Sequence, residues 1–390
     1  MTHELEPSPE QRILRRFKRQ AGSPTARDMT PAVGSRGGPA AWKRAVDGST
    51  VAGARPGWAD ADWSYLYKQD TRYREHAPDE EAVRAAARRM RSGTEVPGAV
   101  EGPVMHPAVW TWEIPLYFWF GGIATGSSFV ALAADLTGDP RSAATARKVA
   151  LAAVTPSAPL LVLDLGRPLR FLHMLRIFKP RSPMSMGAWC LTAFTTVAGA
   201  AVAADVIGRD RVARGLGAVT AALGGYLGSY TGTLLASTAV PVWARSRAML
   251  PPIFVATATA TGAAATRLAL AAAGLPQAHP TQIALGTIET GAMAAELTLS
   301  KLNERKLGPA GQALEVGRPG KLFRLAKTGV LTGQALRLAR RGSGAGSEHL
   351  ASLLYLASGL LFRFAWVGAG RTSARDDQAV AQAGRQRARG

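Results

Sequence analysis

Four stretches of this chain carry no charged residue over a length that suits a bilayer: Ile114–Ala134, Ser182–Ala204, Gly215–Ala244 and Ala248–Thr266. Each is near or above the roughly 20 residues an α-helix needs to cross about 30 Å of hydrocarbon. A soluble domain could hide one such helix in a large core, but hardly four in succession. The pattern predicts an all-α integral membrane protein. Interrupted apolar runs extend the set, with spans expected from Glu113 onward and over about Lys148–Leu165, Met184–Ile207, Leu216–Ala239, Leu250–Ala272, Thr281–Ser300, Leu322–Ala339 and Leu350–Ala369. That makes eight, with seven as the alternative because Leu322–Ala339 is merely amphipathic. The second span is short and holds Pro156 and Pro159, which are expected to kink it by removing amide donors.

The segments outside these runs have a different texture. Residues 1–105 are rich in Arg, Pro, Gly and Ala and poor in aliphatic runs, so most of this arm is expected to be disordered, as is the tail 371–390. Two islands interrupt the arm: the aromatic Trp58–Tyr73, which suits a docking contact or a local nub, and Asp79–Met90, which opens on acids and closes on arginines as a helix dipole favours. The membrane domain is expected over 106–370. It opens on HPAVWTWEIP, where Trp110, Trp112, Tyr117 and Trp119 form the aromatic belt of a headgroup region. The small-residue string GGIATGSS then allows a neighbouring helix to approach closely.

Charge refines the picture. The formal net charge is +20, yet the basic residues collect in the arm, the tail and the connections between apolar runs, which is the distribution of membrane flanks and not of a nucleic-acid-binding stripe. Connections on the side shared by the arm and tail hold twelve Lys or Arg against eight on the other, so both termini are expected in the cytoplasm and the chain in the cytoplasmic (inner) membrane. No secretory signal follows the Arg15-Arg16 or Arg88-Arg89 pair. The single cysteine, Cys190, excludes an internal disulfide and a cysteine-ligated iron–sulfur cluster held by this chain alone.

The most cationic connection is Asp164–Trp189, DLGRPLRFLHMLRIFKPRSPMSMGAW, with Arg167, Arg170, Arg176, Lys179 and Arg181 against Asp164. Gly166 and Pro168 end the preceding helix, and Pro180 and Pro183 stop one helix and open the next. Residues 168–178 read as a short interfacial helix with Phe171, Leu172, Leu175 and Phe178 on one side, or as an ordinary positive loop.

Ionisable residues at membrane depth are costly unless paired, so each is a functional candidate. They are Glu113, Asp164, Glu289, Glu296, Arg267 and Arg363. Glu289 and Glu296, two helical turns apart, share a face and suit a proton relay. The alternative is that one of them pairs with Arg363 or Arg267 and simply holds helices together. Tyr117 and Tyr230 could donate to a carbonyl-bearing ligand, although buried tyrosines do this structurally too. All six histidines lie in the arm, in connections or at helix ends, so no haem ligand pair is expected at mid-depth, and no metal-ligand spacing or nucleotide fingerprint occurs.

Three strings carry a resemblance: WEIPLYFWFGGIATGSS at Trp112–Ser128, LDLGRPLRFLHMLRIFKPRSPMSMGAW at Leu163–Trp189, and SYTGTLLAS at Ser229–Ser237. Together they resemble the NrfD/PsrC family of polysulfide-reductase-type membrane subunits, over about Pro107 to the last helix and most closely through the third. The resemblance implies eight transmembrane helices in two four-helix bundles, with no haem or metal in this chain. It implies an anchor for an iron–sulfur subunit and, through it, a molybdopterin catalytic subunit such as a formate dehydrogenase or polysulfide reductase. It further implies a quinone, menaquinone or ubiquinone, held at the end facing the iron–sulfur subunit, where electrons pass between cluster and quinone. By position the quinone contacts fall on Trp112, Glu113, Tyr117 and Tyr230, and Asp164 and Arg167 match the DLGRP signature. Where some relatives carry asparagine and histidine at the first-helix site, this chain offers Trp112 and Glu113. Asp164, Glu289 and Glu296 are then the expected proton relay, and Arg167, Arg170, Arg176, Lys179 and Arg181 the docking surface. An ion-coupled secondary transporter, whose pathway would also use embedded acids and arginines, and a purely structural anchor are the competing readings.

Overall fold

The computed structural model of the chain describes residues 105, 107, 108, 110–164, 175, 176, 178–339, 345–376 and 380. The expectations for the arm, for Arg167 and Arg170, for most of 168–178 and for most of the tail lie outside the described residues. All of the described secondary structure is helical: α1 Glu113–Leu136, α2 Pro140–Val154, α3 Ser157–Asp164, α4 Pro183–Val206, α5 Asp210–Ala236, α6 Pro241–Arg245, α7 Leu250–Ala272, α8 Pro280–Leu307, a 3-10 turn Gly308–Leu314, α9 Gly317–Leu338 and α10 Ala345–Ala374. Five segments are long and apolar enough to cross a membrane, namely α1, α2 with α3, α4, α7 and α10. The chain is an integral membrane protein. The long helices α5, α8 and α9 are more polar and pack among the five.

Local chemistry sets the ends. Asp139 accepts from the Ser142 amide at 3.1 Å and Ser182 from the Ser185 amide at 3.4 Å, with Pro140 and Pro183 at the first helical position, where a missing amide costs nothing. Gly138 and Gly208, with φ of 77° and 72°, take the left-handed conformation just past α1 and α4, which lets their amides turn back onto the last carbonyls. Pro156 has no amide to offer, and the expected kink is a full break between α2 and α3.

One boundary differs markedly from expectation. The second spanning segment starts at Pro140, eight residues before the predicted Lys148, because Arg147 is neutralised within the protein. Its guanidinium donates to both oxygens of Asp205, each at 2.7 Å, and to Asp135 Oδ2 at 2.6 Å. This ties the end of α1, the middle of α2 and the end of α4, and the ion pair replaces the water that an isolated arginine would demand.

Helix α1 packs on α2, α5 and α7, and α7 in turn on α5, α8 and α10, while α9 and α10 lie along each other. The α1–α7 crossing is a backbone contact. A methyl group built on Gly126 would sit 2.0 Å from the Ala258 carbonyl oxygen, and one on Gly262 2.3 Å from the Gly126 carbonyl carbon. The GGIATGSS string thus does what its composition suggests. Trp243 of α6 is wholly buried, donates to the Trp366 carbonyl at 2.9 Å and stacks on Trp110 at 5.5 Å, fixing the approach of the chain to α1.

Candidate functional site

The starts of α1 and α4 and the ends of α3 and α5 bring together several of the residues singled out by sequence. Tyr117, one turn beyond Glu113 on the same face of α1, is almost fully buried, as is Tyr230 of α5, and the two lie within electrostatic reach of each other and of Cys190 on α4. The Tyr230 ring lies directly against Gly187: a methyl group there would come within 1.9 Å of Cζ. The glycine of the SPMSMGAW string therefore clears the space in which the phenol sits. Tyr226 stacks on Tyr230 at 6.1 Å with an 18° interplanar angle and is itself partly exposed. Cys190 is held by a contact from its thiol to the Leu223 carbonyl at 3.6 Å.

Two carboxylates lie at the same end, Glu113 one turn before Tyr117 on α1 and Asp164 at the end of α3. Glu113, half-buried, takes a very short hydrogen bond from the Thr111 hydroxyl, and Asp164 at the end of α3 lies within Coulombic reach of it. Among the described residues neither the Tyr117 nor the Tyr230 hydroxyl has a hydrogen-bond partner. A phenol that deep in apolar surroundings normally finds one. The cluster thus offers two phenol donors without a partner among the described residues and, at the same end, two acids. This is a donor set that fits a flat, carbonyl-bearing, oil-soluble molecule.

Trp112 does not join them. It is 52% exposed and lies on the other side of α1, beside the start of α9 and the end of α10. Of the basic connection, Arg176, Lys179 and Arg181 are exposed, next to an exposed Phe178 whose ring stands edge-on to Trp189 at 5.9 Å. They precede α4 directly, on the same end of the molecule as Glu113 and Asp164.

Glu289 and Glu296 lie elsewhere, on α8 among α7, α9 and α10. Glu289 is fully buried and clasped: Arg337 donates to its Oε2 at 2.8 Å, Ser352 to the same oxygen at 2.9 Å, and Arg267 lies 4.0 Å from Oε1. Both arginines also bind Glu348, Arg267 at 2.9 Å and Arg337 by a shorter contact. The network of two arginines and two glutamates spans α7, α8, α9 and α10. Glu296 accepts from Ser300 at 2.6 Å and is in no ion pair among the described residues, though Lys327 and Arg363 are within electrostatic reach. Arg363 binds the Phe254 carbonyl at 3.1 Å and covers the Phe254 ring at 3.7 Å. Sequence reasoning misses Arg337, Glu348 and the Arg147 clasp. The signal is the buried Glu289 itself, which demands a second cation.

Among the described residues no cluster of His, Cys, Asp and Glu could hold a metal ion. In comparison with known proteins, the family model described as polysulphide reductase, NrfD fits residues 103–300. It stops within α8, so α9 and α10 lie outside it. No curated protein matches the chain.

Proposed function

The chain belongs to the polysulphide reductase NrfD family, whose members are membrane subunits of molybdoenzyme complexes, and from that premise we propose that it is a quinone-reactive anchor. In this reading it holds an iron–sulfur subunit, and through it a molybdopterin subunit, at the cytoplasmic membrane and exchanges electrons between the cluster and membrane quinone. The observation that carries the proposal is the meeting of Tyr117 and Tyr230, whose hydroxyls have no hydrogen-bond partner among the described residues, at the end of the bundle that also holds Glu113 and Asp164. Quinone supplies the two-electron, two-proton chemistry when bound. Tyr117 and Tyr230 would donate hydrogen bonds to its carbonyl oxygens and set its orientation, with Gly187 leaving the room in which the Tyr230 ring sits. Glu113 and Asp164 are the acids at that end of the bundle that take up and pass on the protons.

Exposed Arg176, Lys179 and Arg181 offer a cationic docking surface at the same end, and Arg167 and Arg170, which lie outside the described residues, add to the positive charge of the same connection in sequence. The eight long helical segments, with α2 and α3 counted as one, are assigned as eight spans in two four-helix bundles, α1–α5 and α7–α10, with both termini cytoplasmic. Glu296, buried and in no ion pair among the described residues, is the proton carrier of the second bundle, and Glu289 is a helix clamp.

In the assembled complex, Tyr230→Phe and Glu113→Gln are each expected to lower quinone-linked turnover by about 10²-fold while leaving donor oxidation by an artificial dye unchanged. Unchanged quinone turnover in both variants would support a purely structural anchor instead.

A further inference from the structure

A cavity of about 380 Å³ opens where the starts of α1 and α9 meet the end of α10. Its size is in the range that buries much of a small-molecule ligand. Arg318, Arg371 and Arg375 line it, and among the described residues no acidic side chain does. Among the described residues these three guanidinium groups have neither a carboxylate partner nor a side-chain hydrogen bond. Leu322 and Phe364 form part of its apolar wall, and half-exposed Trp112 stands at its mouth, where tryptophan marks headgroup level. The first turn of α9, with no side-chain cap at Val316, adds the positive end of a helix dipole at the same place.

Cations at headgroup level above an apolar wall match a molecule that is anionic at one end and hydrocarbon at the other. We propose that this cavity binds an anionic phospholipid, its phosphate held by Arg318, Arg371 and Arg375 and one acyl chain laid along Leu322 and Phe364. A free phosphate would satisfy the arginines and leave the wall bare. The site is separate from the tyrosine cluster and does not depend on the quinone reading.

The test uses the intact complex, stripped of lipid in detergent and titrated with phosphatidylglycerol, phosphatidylcholine or inorganic phosphate, with binding followed by native mass spectrometry. Saturable binding of phosphatidylglycerol, and none of phosphatidylcholine, is expected. The R318Q/R371Q/R375Q variant is expected to bind about fivefold more weakly for each arginine removed, and Leu322→Trp to block binding with the charges intact. Should the triple variant not assemble, Arg318→Gln alone carries the test, with about a fivefold loss. Undiminished binding by the charge variants would overturn the proposal, as would displacement of the lipid by equimolar inorganic phosphate. So would photocrosslinking from a benzoylphenylalanine at position 322 to a partner subunit, or to residues before 105, in place of lipid.

Discussion

Arg337→Ala is expected to abolish most of the folded yield of the protein, with a loss of about 3–5 kcal/mol, the cost of leaving a buried ion pair half-made. The reason is charge balance. Among the described residues Arg267 and Arg337 face Glu289 and Glu348, two of each sign, and Ser352 joins the network. Without Arg337, Glu289 keeps only a 4.0 Å approach from Arg267 and a hydrogen bond from Ser352, in a site with no access to water. Adding Glu289→Gln should restore neutrality and recover part of the loss, giving a coupling of about 0.5–3 kcal/mol between the two positions. Thermal unfolding of the detergent-solubilised protein reads both effects. A single variant as stable as the parent, or a double variant that loses the sum of the two, would mean the network does not bind α8 to α9 and α10.

The second large effect belongs to the α1–α7 crossing. Gly126→Leu or Gly262→Leu should prevent these helices from meeting, because even a single added carbon at either position falls on the other helix's backbone. Overfilling a packed interior ordinarily costs about 1–3 kcal/mol, and here the obstacle is main chain that cannot rotate away, so the loss should lie at or above that range. Gly121, where an added methyl group meets nothing within 4 Å, is the control: Gly121→Ala should be tolerated where Gly126→Ala is not. Folded yield by size-exclusion chromatography distinguishes them, and equal behaviour at 121 and 126 would refute the crossing.

The helices that make these two contacts differ in how plainly the amino-acid sequence announces them. Span α7 is legible to the residue, since Arg247 and the prolines at 251 and 252 mark its start and Gly274 its end. The second span is placed too late by hydropathy because Arg147 and Lys148 look like membrane flanks, and nothing local says that Asp135 and Asp205, distant in sequence, will neutralise Arg147. Helix α8 runs on to Leu307 through charged residues for a similar reason: Arg305 and Lys306 sit in its last turn, where the dipole favours them.

For the site, depth is legible and adjacency is not. Hydropathy places Glu113, Tyr117, Asp164 and Tyr230 near one end of the bundle, and they do converge there. The same pattern places Glu289 and Glu296 at membrane depth without revealing that α8 packs on α7, α9 and α10, away from α4 and α5. Nor can it tell that Trp112, next in sequence to Glu113, turns to the opposite side of α1. One residue along a helix is a rotation of about 100°, so sequence neighbours at the start of α1 serve different cavities. Gly187 is visible in the sequence only as a letter of a motif, and its role appears once the Tyr230 ring is seen against it.

The central claim, a quinone seated at Tyr117 and Tyr230, is tested most directly by photolabelling. The assembled complex is irradiated with an azidoquinone in membranes and the labelled peptides are mapped, with and without excess native quinone. Label on the α1 peptide around Tyr117 or the α5 peptide around Tyr230, lost on competition, is the expected result. Competed label confined to α7–α10, or to the arginine-lined cavity between α1, α9 and α10, would contradict it.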